Sequence, residues 1–317
     1  MSEPLIVSPK ETAFIFPGQG SQSIGMLSDY SDTPEVIQTF HQASDALGFD
    51  LWDLCQNGKE EHLDQTERAQ PALLTASVAL WRVWQKRADL PKLVAGHSLG
   101  EYSALVCAGI LDFEQAVKLV EQRGLFMQRA VPVGVGKMAA IIGLDDDKVK
   151  QACEASAQHE IVSPVNYNSP GQIVIAGNAD AVDRAMDACK DSGAKRAMPL
   201  TVSVPSHCLL MKPAAEQLDQ LLKSVSLSKS DISVLNNVDV AIETNQQKIK
   251  DALVRQLYSP VRWAECINFI AKQGIDLLVE CGPGKVLSGL NRRIDKRLTS
   301  YQTFRLDSLN QAVTELT

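Results

Sequence analysis

The stretch Val94-Ala95-Gly96-His97-Ser98-Leu99-Gly100-Glu101-Tyr102 contains the pattern G-x-S-x-G, with an apolar run before it and a helical pattern after it. A strand that turns abruptly into a helix needs small residues at Gly96 and Gly100, so that the two backbones do not collide. Such a turn lifts Ser98 above the sheet edge, near the positive end of the following helix. The chemistry this permits is nucleophilic attack by the Ser98 hydroxyl. A serine that only caps the helix at 101–108 would leave the same letters.

A serine nucleophile needs a base, and the chain has five histidines. His41, His62 and His159 lie in polar stretches and read as solvated. His97 adjoins the nucleophile, where a side chain usually points away, so its expected task is to support the turn. His207 stands in Val202-Ser203-Val204-Pro205-Ser206-His207-Cys208, at the edge of a change in rhythm along the chain. Sites form at such junctions. There it could take the Ser98 proton and later return it to a leaving group; a hydrogen-bonded core histidine is the alternative.

Acyl transfer also builds negative charge on a carbonyl oxygen, which main-chain N–H groups can stabilise. Losing one such donor costs about 3 kcal/mol. Leu99, directly after the nucleophile, can supply one. The run Ile15-Phe16-Pro17-Gly18-Gln19-Gly20-Ser21-Gln22 can supply another. This loop fails both phosphate-binding patterns: Ser23 stands where G-x-G-x-x-G needs its third glycine, and Met26 and Leu27 stand where a P-loop needs Lys and Ser or Thr. The segment Phe16-Pro17-Gly18-Gln19-Gly20, whose glycines allow close approach, therefore fits an oxyanion donor better than a phosphate cradle, with a plain surface turn as the alternative.

Arg123 is out of place. Ala116, Leu119, Val120, Arg123 and Met127 recur at the spacing of one helical face, and the other four are apolar. A buried guanidinium needs an anion, and its planar fork suits a carboxylate. Spacing alone leaves open whether that carboxylate belongs to this chain or to a substrate.

The elements that must position these residues alternate. Strands are predicted at 12–16 and 93–95, and helices at 34–47, 71–87, 101–108 and 114–130, with a proline at the head of the first two. That rhythm implies a parallel sheet covered on both faces. After Pro132-Val133-Gly134-Val135-Gly136 the order becomes β at 138–142, α at 145–156, β at 161–167, β at 172–176, α at 179–192 and β at 197–204, the ferredoxin-like βαββαβ unit. A strand at 276–280 and a helix at 285–291 then return to the first pattern. The fold class is α/β, an α/β-hydrolase-like parallel-sheet domain built from 1–134 and 205–317, with a ferredoxin-like small domain, 135–204, inserted in it.

Composition sets the class. With 317 residues, 45% apolar and 22% charged, the chain can bury a sizeable core. A net charge of −7 argues against nucleic acid and anionic membranes as partners. The seven cysteines include no C-x-x-C pair, which reads as reduced thiols in a cytoplasmic protein and as no metal site. Residues 1–10 lack the basic start and apolar run of an export signal.

Taken together, IFPGQGSQ, GHSLGEYSA, EQRG, NYNSPGQIVIAG, VSVPSH, QLYSPVRW and CGPGKVLSGL, in that order from about Thr12 to about Leu306, closely resemble the malonyl-CoA:acyl carrier protein transacylases of bacterial type II fatty acid synthesis. The resemblance implies Ser98 as the acylated nucleophile, His207 as its partner and Arg123 as the clamp for the malonyl carboxylate. It further implies Gln19 and Leu99 as oxyanion donors, and a main-chain carbonyl near Gln256 in place of the acid that usually orients the histidine. The partners implied are malonyl-CoA and acyl carrier protein, for a monomer that needs no metal and treats CoA as a substrate carrier, not a retained cofactor. Two rival readings fit the same residues. A serine esterase would place an acid between Ser98 and His207 in chain order, and a non-catalytic scaffold would need none of these groups. Docking of an acidic carrier would need a basic patch, for which Lys195 and Arg196, or Arg292, Arg293, Lys296 and Arg297, are candidates.

Overall fold

The computed structural model describes residues 11–201 and 204–316. Residues 1–10, on which the expected absence of an export signal rests, and Val202 and Ser203, in the strand expected at 197–204, lie outside the described residues. Five strands, β1 (Thr12–Phe16), β2 (Leu93–Gly96), β7 (Ser233–Leu235), β8 (Leu277–Glu280) and β9 (Thr299–Gln302), form one sheet in the order β7-β2-β1-β8-β9. All four pairings are parallel. β1 lies at the centre, and its alternate side chains enter opposite layers. Phe14 and Phe16 join Trp81 and Trp84 on one face, while Ala13 and Ile15 join Trp263 and Ile267 on the other. Phe14 meets the rings of Trp81 and Trp84 edge-on at 5.2 and 5.0 Å. A sheet buried on both faces explains why β1 and β2 are continuous apolar runs with no alternation.

The second sheet contains β3 (Gly136–Ile142), β4 (Val162–Ser169), β5 (Gln172–Asn178) and β6 (Arg196–Pro199) in the order β4-β5-β3-β6, antiparallel throughout. Helices Asp146–Ala157 and Ala179–Asp191 cover one face, burying Ala139, Ile141, Ile173 and Ile175. The other face packs Met138, Val174 and Ala176 against Val165 and Cys208, the residue after His207. Two main-chain bonds tie this unit to the segment between helices Gln246–Gln256 and Trp263–Lys272: Tyr167 N–H to the Val261 carbonyl at 2.9 Å, and Val261 N–H to the Val165 carbonyl at 2.8 Å. The α/β class with its parallel sheet is the fold expected from the sequence.

Two elements differ from expectation. The helix predicted to begin at Pro71 begins a turn earlier, spanning Thr66–Gln85 with Pro71 inside it. Proline suits a first turn but is not confined to it. Here residues 66 and 67 are pinned against helix Phe113–Ala130, where a Cβ on Gly124 would stand 2.6 Å from the Glu67 Cα. That contact holds the extra turn despite the lost hydrogen bond. The last small-sheet strand stops at Pro199. Proline has no N–H for the ladder, although the Leu200 N–H still donates to the Met138 carbonyl at 2.9 Å.

Candidate active site

Ser98 stands one residue beyond His97, which follows the end of β2, and its φ of 52° lies in the left-handed region. That conformation is costly for a residue with a Cβ and persists only where its surroundings enforce it. Asn237 does much of the enforcing. Its Oδ1 accepts from the Ser98 N–H at 2.7 Å, and its Nδ2 donates to the Gly96 carbonyl at 2.7 Å. Behind the turn, a Cβ on Gly100 would stand 2.1 Å from the Phe16 carbonyl oxygen, so only glycine lets helix Gly100–Cys107 pass β1 this closely.

His207 also has a left-handed backbone, with φ 66°. Its N–H donates to the Leu257 carbonyl at 2.9 Å, and its Nδ1 lies 2.7 Å from the Gln256 carbonyl oxygen. A carbonyl only accepts, so Nδ1 carries the proton and Nε2 presents its lone pair. The Ser98 Oγ lies 2.7 Å from that Nε2. Burial first, and the Arg123 cation second, pull the His207 pKa from 6.5 down to about 3, against the pull of the Gln256 carbonyl. At neutral pH the imidazole is therefore uncharged and able to accept the serine proton.

Arg123 lies on the buried face of its helix and is 1% exposed. Its Nη1 donates to Gln70 Oε1 at 2.8 Å and its Nη2 to Gln256 Oε1 at 3.1 Å, while the guanidinium sits 5.4 Å from the centre of the Tyr102 ring. Both acceptors are neutral amides, and among the described residues Nε has no hydrogen-bond partner and Arg123 makes no ion pair. The alternative of an ion pair with this chain's own carboxylate is not what the described residues contain.

The opening loop lies against the elbow. His97 N–H donates to the Phe16 carbonyl at 2.9 Å, and a Cβ on Gly18 would stand 2.5 Å from the His97 carbonyl oxygen. Gln19 is the next residue, and its side chain reaches Thr66 at 3.4 Å. Leu99, 1% exposed, sits between Ser98 and the first turn of helix Gly100–Cys107. His97 turns away from Ser98: its Nε2 pairs with Asn168 Oδ1 of β4 at 2.8 Å, and its ring lies 5.5 Å from that of Trp263. His41, His62 and His159 are exposed.

Residues 13–298 match the acyl transferase domain family. Over 305 residues the chain is 59% identical to the malonyl CoA-acyl carrier protein transacylase of Salmonella typhimurium, covering 96% of this chain and 99% of that one. The chain belongs to the malonyl CoA-acyl carrier protein transacylase family. A solved acyl carrier protein S-malonyltransferase from Vibrio cholerae is 58% identical with a TM-score of 0.93, covering 96% of this chain and 100% of that one. A structure of a type II PKS acyl-carrier protein in complex with its malonyl-transacylase gives a TM-score of 0.95 at 57% identity, over 96% of this chain and 100% of the other.

Within this transacylase fold, the position that the esterase reading reserves for an acid is taken by the Gln256 main chain. Among the described residues, no group of three His, Cys, Asp or Glu side chains could hold a metal ion, and no helix is long and apolar enough to cross a membrane. Four polar residues of the network escape a reading of the sequence: Asn237, Gln70, Asn168 and Glu101. Glu101 had a signal. It is the one charged residue in the helix GEYSALVC and is buried there, the same anomaly that marks Arg123. The amides carry no such mark, because Asn and Gln are as common in loops as in sites.

Proposed function

We propose that the protein transfers the malonyl group of malonyl-CoA to the phosphopantetheine thiol of acyl carrier protein through a malonyl ester on Ser98. His207 Nε2 takes the Ser98 proton as Oγ attacks the thioester carbonyl. The oxyanion that forms is met by the main-chain N–H groups of Gln19 and Leu99, at the elbow and the loop packed on it. Its collapse breaks the C–S bond, and CoA leaves as the thiol with the proton from His207. In the second half-reaction the carrier's thiol gives its proton to His207 and its sulfur attacks the ester carbonyl. Ser98 then departs and recovers the proton. The Gln256 carbonyl holds the imidazole in the tautomer both halves need. CoA enters and leaves as a carrier of the acyl group, and no step needs a metal.

The observation that supports malonyl as the group is Arg123, a buried cation held by two neutral amide oxygens, with Nε unpartnered among the described residues. A carboxylate on the substrate supplies the anion such a fork requires. Charge-assisted bonds of this kind are worth roughly 1.5–3 kcal/mol each. Arg123→Ala should therefore lower malonyl transfer at least tenfold to a hundredfold, while acetyl transfer falls little or rises. Arg123→Lys should recover only part, because an ammonium cannot form the same fork. The measurement is the ratio of kcat/KM for malonyl-CoA and acetyl-CoA in the three proteins. A ratio unchanged in a folded Arg123→Ala protein would move the clamp elsewhere. Intact-protein mass after brief exposure to malonyl-CoA should rise by one malonyl group, and Ser98→Ala should abolish the gain.

We further take residues 135–204 as a domain inserted into the one formed by 1–134 and 205–317, supported by its separate four-stranded sheet. A cytoplasmic location is supported by seven unpaired, buried cysteines.

A further inference from the structure

Glu101 has no part in the transfer just described, yet it is 3% exposed and lies behind the nucleophile. One of its oxygens, Oε2, accepts from two donors: the Asn237 N–H at 3.0 Å and Gln256 Nε2 at 2.8 Å. Each donor group is itself a clamp. Asn237 holds Ser98 N–H and the Gly96 carbonyl. Gln256 donates to the Ser98 carbonyl at 3.1 Å, offers Oε1 to Arg123, and holds His207 Nδ1 through its main chain. An amide has a donor end and an acceptor end, and Arg123 can use only the acceptor end. An acceptor at Glu101 keeps Nε2 turned inward and so Oε1 turned to the guanidinium.

We propose that Glu101 is a positioning residue for transacylation, whose single oxygen sets the nucleophile elbow, through Asn237, and the Arg123 clamp, through Gln256, in one mutual register. This inference rests on the reading of Ser98 and Arg123 given above. Its content is geometric: the acceptor must reach both donors at once, whereas a negative charge at this depth is not required. The charge state is in fact opposed there, since burial pushes the Glu101 carboxyl up to about 7 although Gln256, Asn237 and Arg123 all favour its ionised form.

Two variants separate reach from charge. Glu101→Gln keeps the length of the side chain and an acceptor oxygen but no charge. Glu101→Asp keeps the charge and withdraws it by one methylene. Both are measured for thermal unfolding and for kcat and KM with malonyl-CoA and with acetyl-CoA, beside the wild type. Positioning predicts that Glu101→Gln keeps most of the activity and of the malonyl preference. Glu101→Asp should lose roughly 10–100-fold in malonyl kcat/KM, through misplaced reacting groups, with the malonyl-to-acetyl ratio falling as Arg123 loses its alignment. The reverse order, with Asp active and Gln impaired, would overturn the proposal in favour of charge. Equal losses for malonyl and acetyl in a folded Glu101→Asp protein would overturn it too, by reducing Glu101 to a general support of the core. The wild-type arm guards the underlying reading: a wild-type protein that takes up no malonyl group, or shows no malonyl preference, fails that reading and not the role of Glu101.

Discussion

His207 is kept neutral by an environment that disfavours its charged form, and that has consequences for rate and for stability. Its folded pKa, about 3, lies below the 6.5 of an ordinary histidine. On acidification the unfolded chain binds this proton first, so its contribution to stability is complete above about 6.5 and declines as pH falls towards about 3. Catalytic competence should persist in the same window. The rate at which phenylmethylsulfonyl fluoride modifies Ser98 should fall on the acid side only well below the usual histidine range. Arg123 is the second cause of the depression, so Arg123→Ala should move that acid limb upward; a limb that stays put or moves down would refute the electrostatic link. On the proposed mechanism His207→Ala removes the base from each half-reaction, and it should slow both acylation and transfer by about 10²–10⁴-fold. Acyl-enzyme formation at the wild-type rate in that variant would make His207 a structural residue.

Gln70 and Arg123 meet because helices Thr66–Gln85 and Phe113–Ala130 approach closely at Gly124. Alanine in a helix interior normally improves on glycine by about 1 kcal/mol. At this position the added Cβ would lie 2.6 Å from the Glu67 Cα and 2.7 Å from its nitrogen, both main-chain atoms with no freedom to step aside. Gly124→Ala should therefore lower the melting temperature and spread the two helices, weakening malonyl-CoA more than acetyl-CoA as substrate. A raised melting temperature would show that the helices separate without cost and that intrinsic propensity wins. The same contact explains why a proline that reads as a helix start lies within one. A local rule about first turns was outweighed by packing between helices distant in sequence.

Carrier docking is a property of the whole surface. The chain carries a net charge of −7, so an acidic partner must find a local basic region. Lys195 and Arg196 are exposed where the chain enters β6, on the unit whose inner face packs against Cys208 beside His207. In the other candidate cluster Arg297 is held by Asp295 at 2.6 Å and Arg293 by Gln172, which reduces what those two can offer. Reversing the charge of Lys195 and Arg196 together should raise KM for the carrier protein and leave KM for malonyl-CoA unchanged, with the larger effect at low salt. Equal changes for both substrates would remove this patch from the docking surface.

Much of this molecule is written locally. Strand and helix order, the abrupt turn at Gly96–Gly100 and the arginine on an apolar stripe follow from residue type and short-range spacing, which act before the chain has any tertiary shape. Ser98 stands out by its G-x-S-x-G turn between an apolar run and a helix, and Arg123 as a charge in a buried face. What spacing could not decide was partnership. Whether Arg123 met a carboxylate of its own chain depended on Gln70 and Gln256, 53 and 133 residues away along the sequence. The hold of Asn237 on the elbow spans 139 residues, and that of Gln256 on His207 spans 49. Amides at such distances leave no periodic trace, since one hydrogen-bonding side chain constrains neither of its neighbours. Only when the parallel sheet closes, with β7 beside β2 and the turn after helix Gln246–Gln256 brought under His207, do these groups acquire the directions that make them a site.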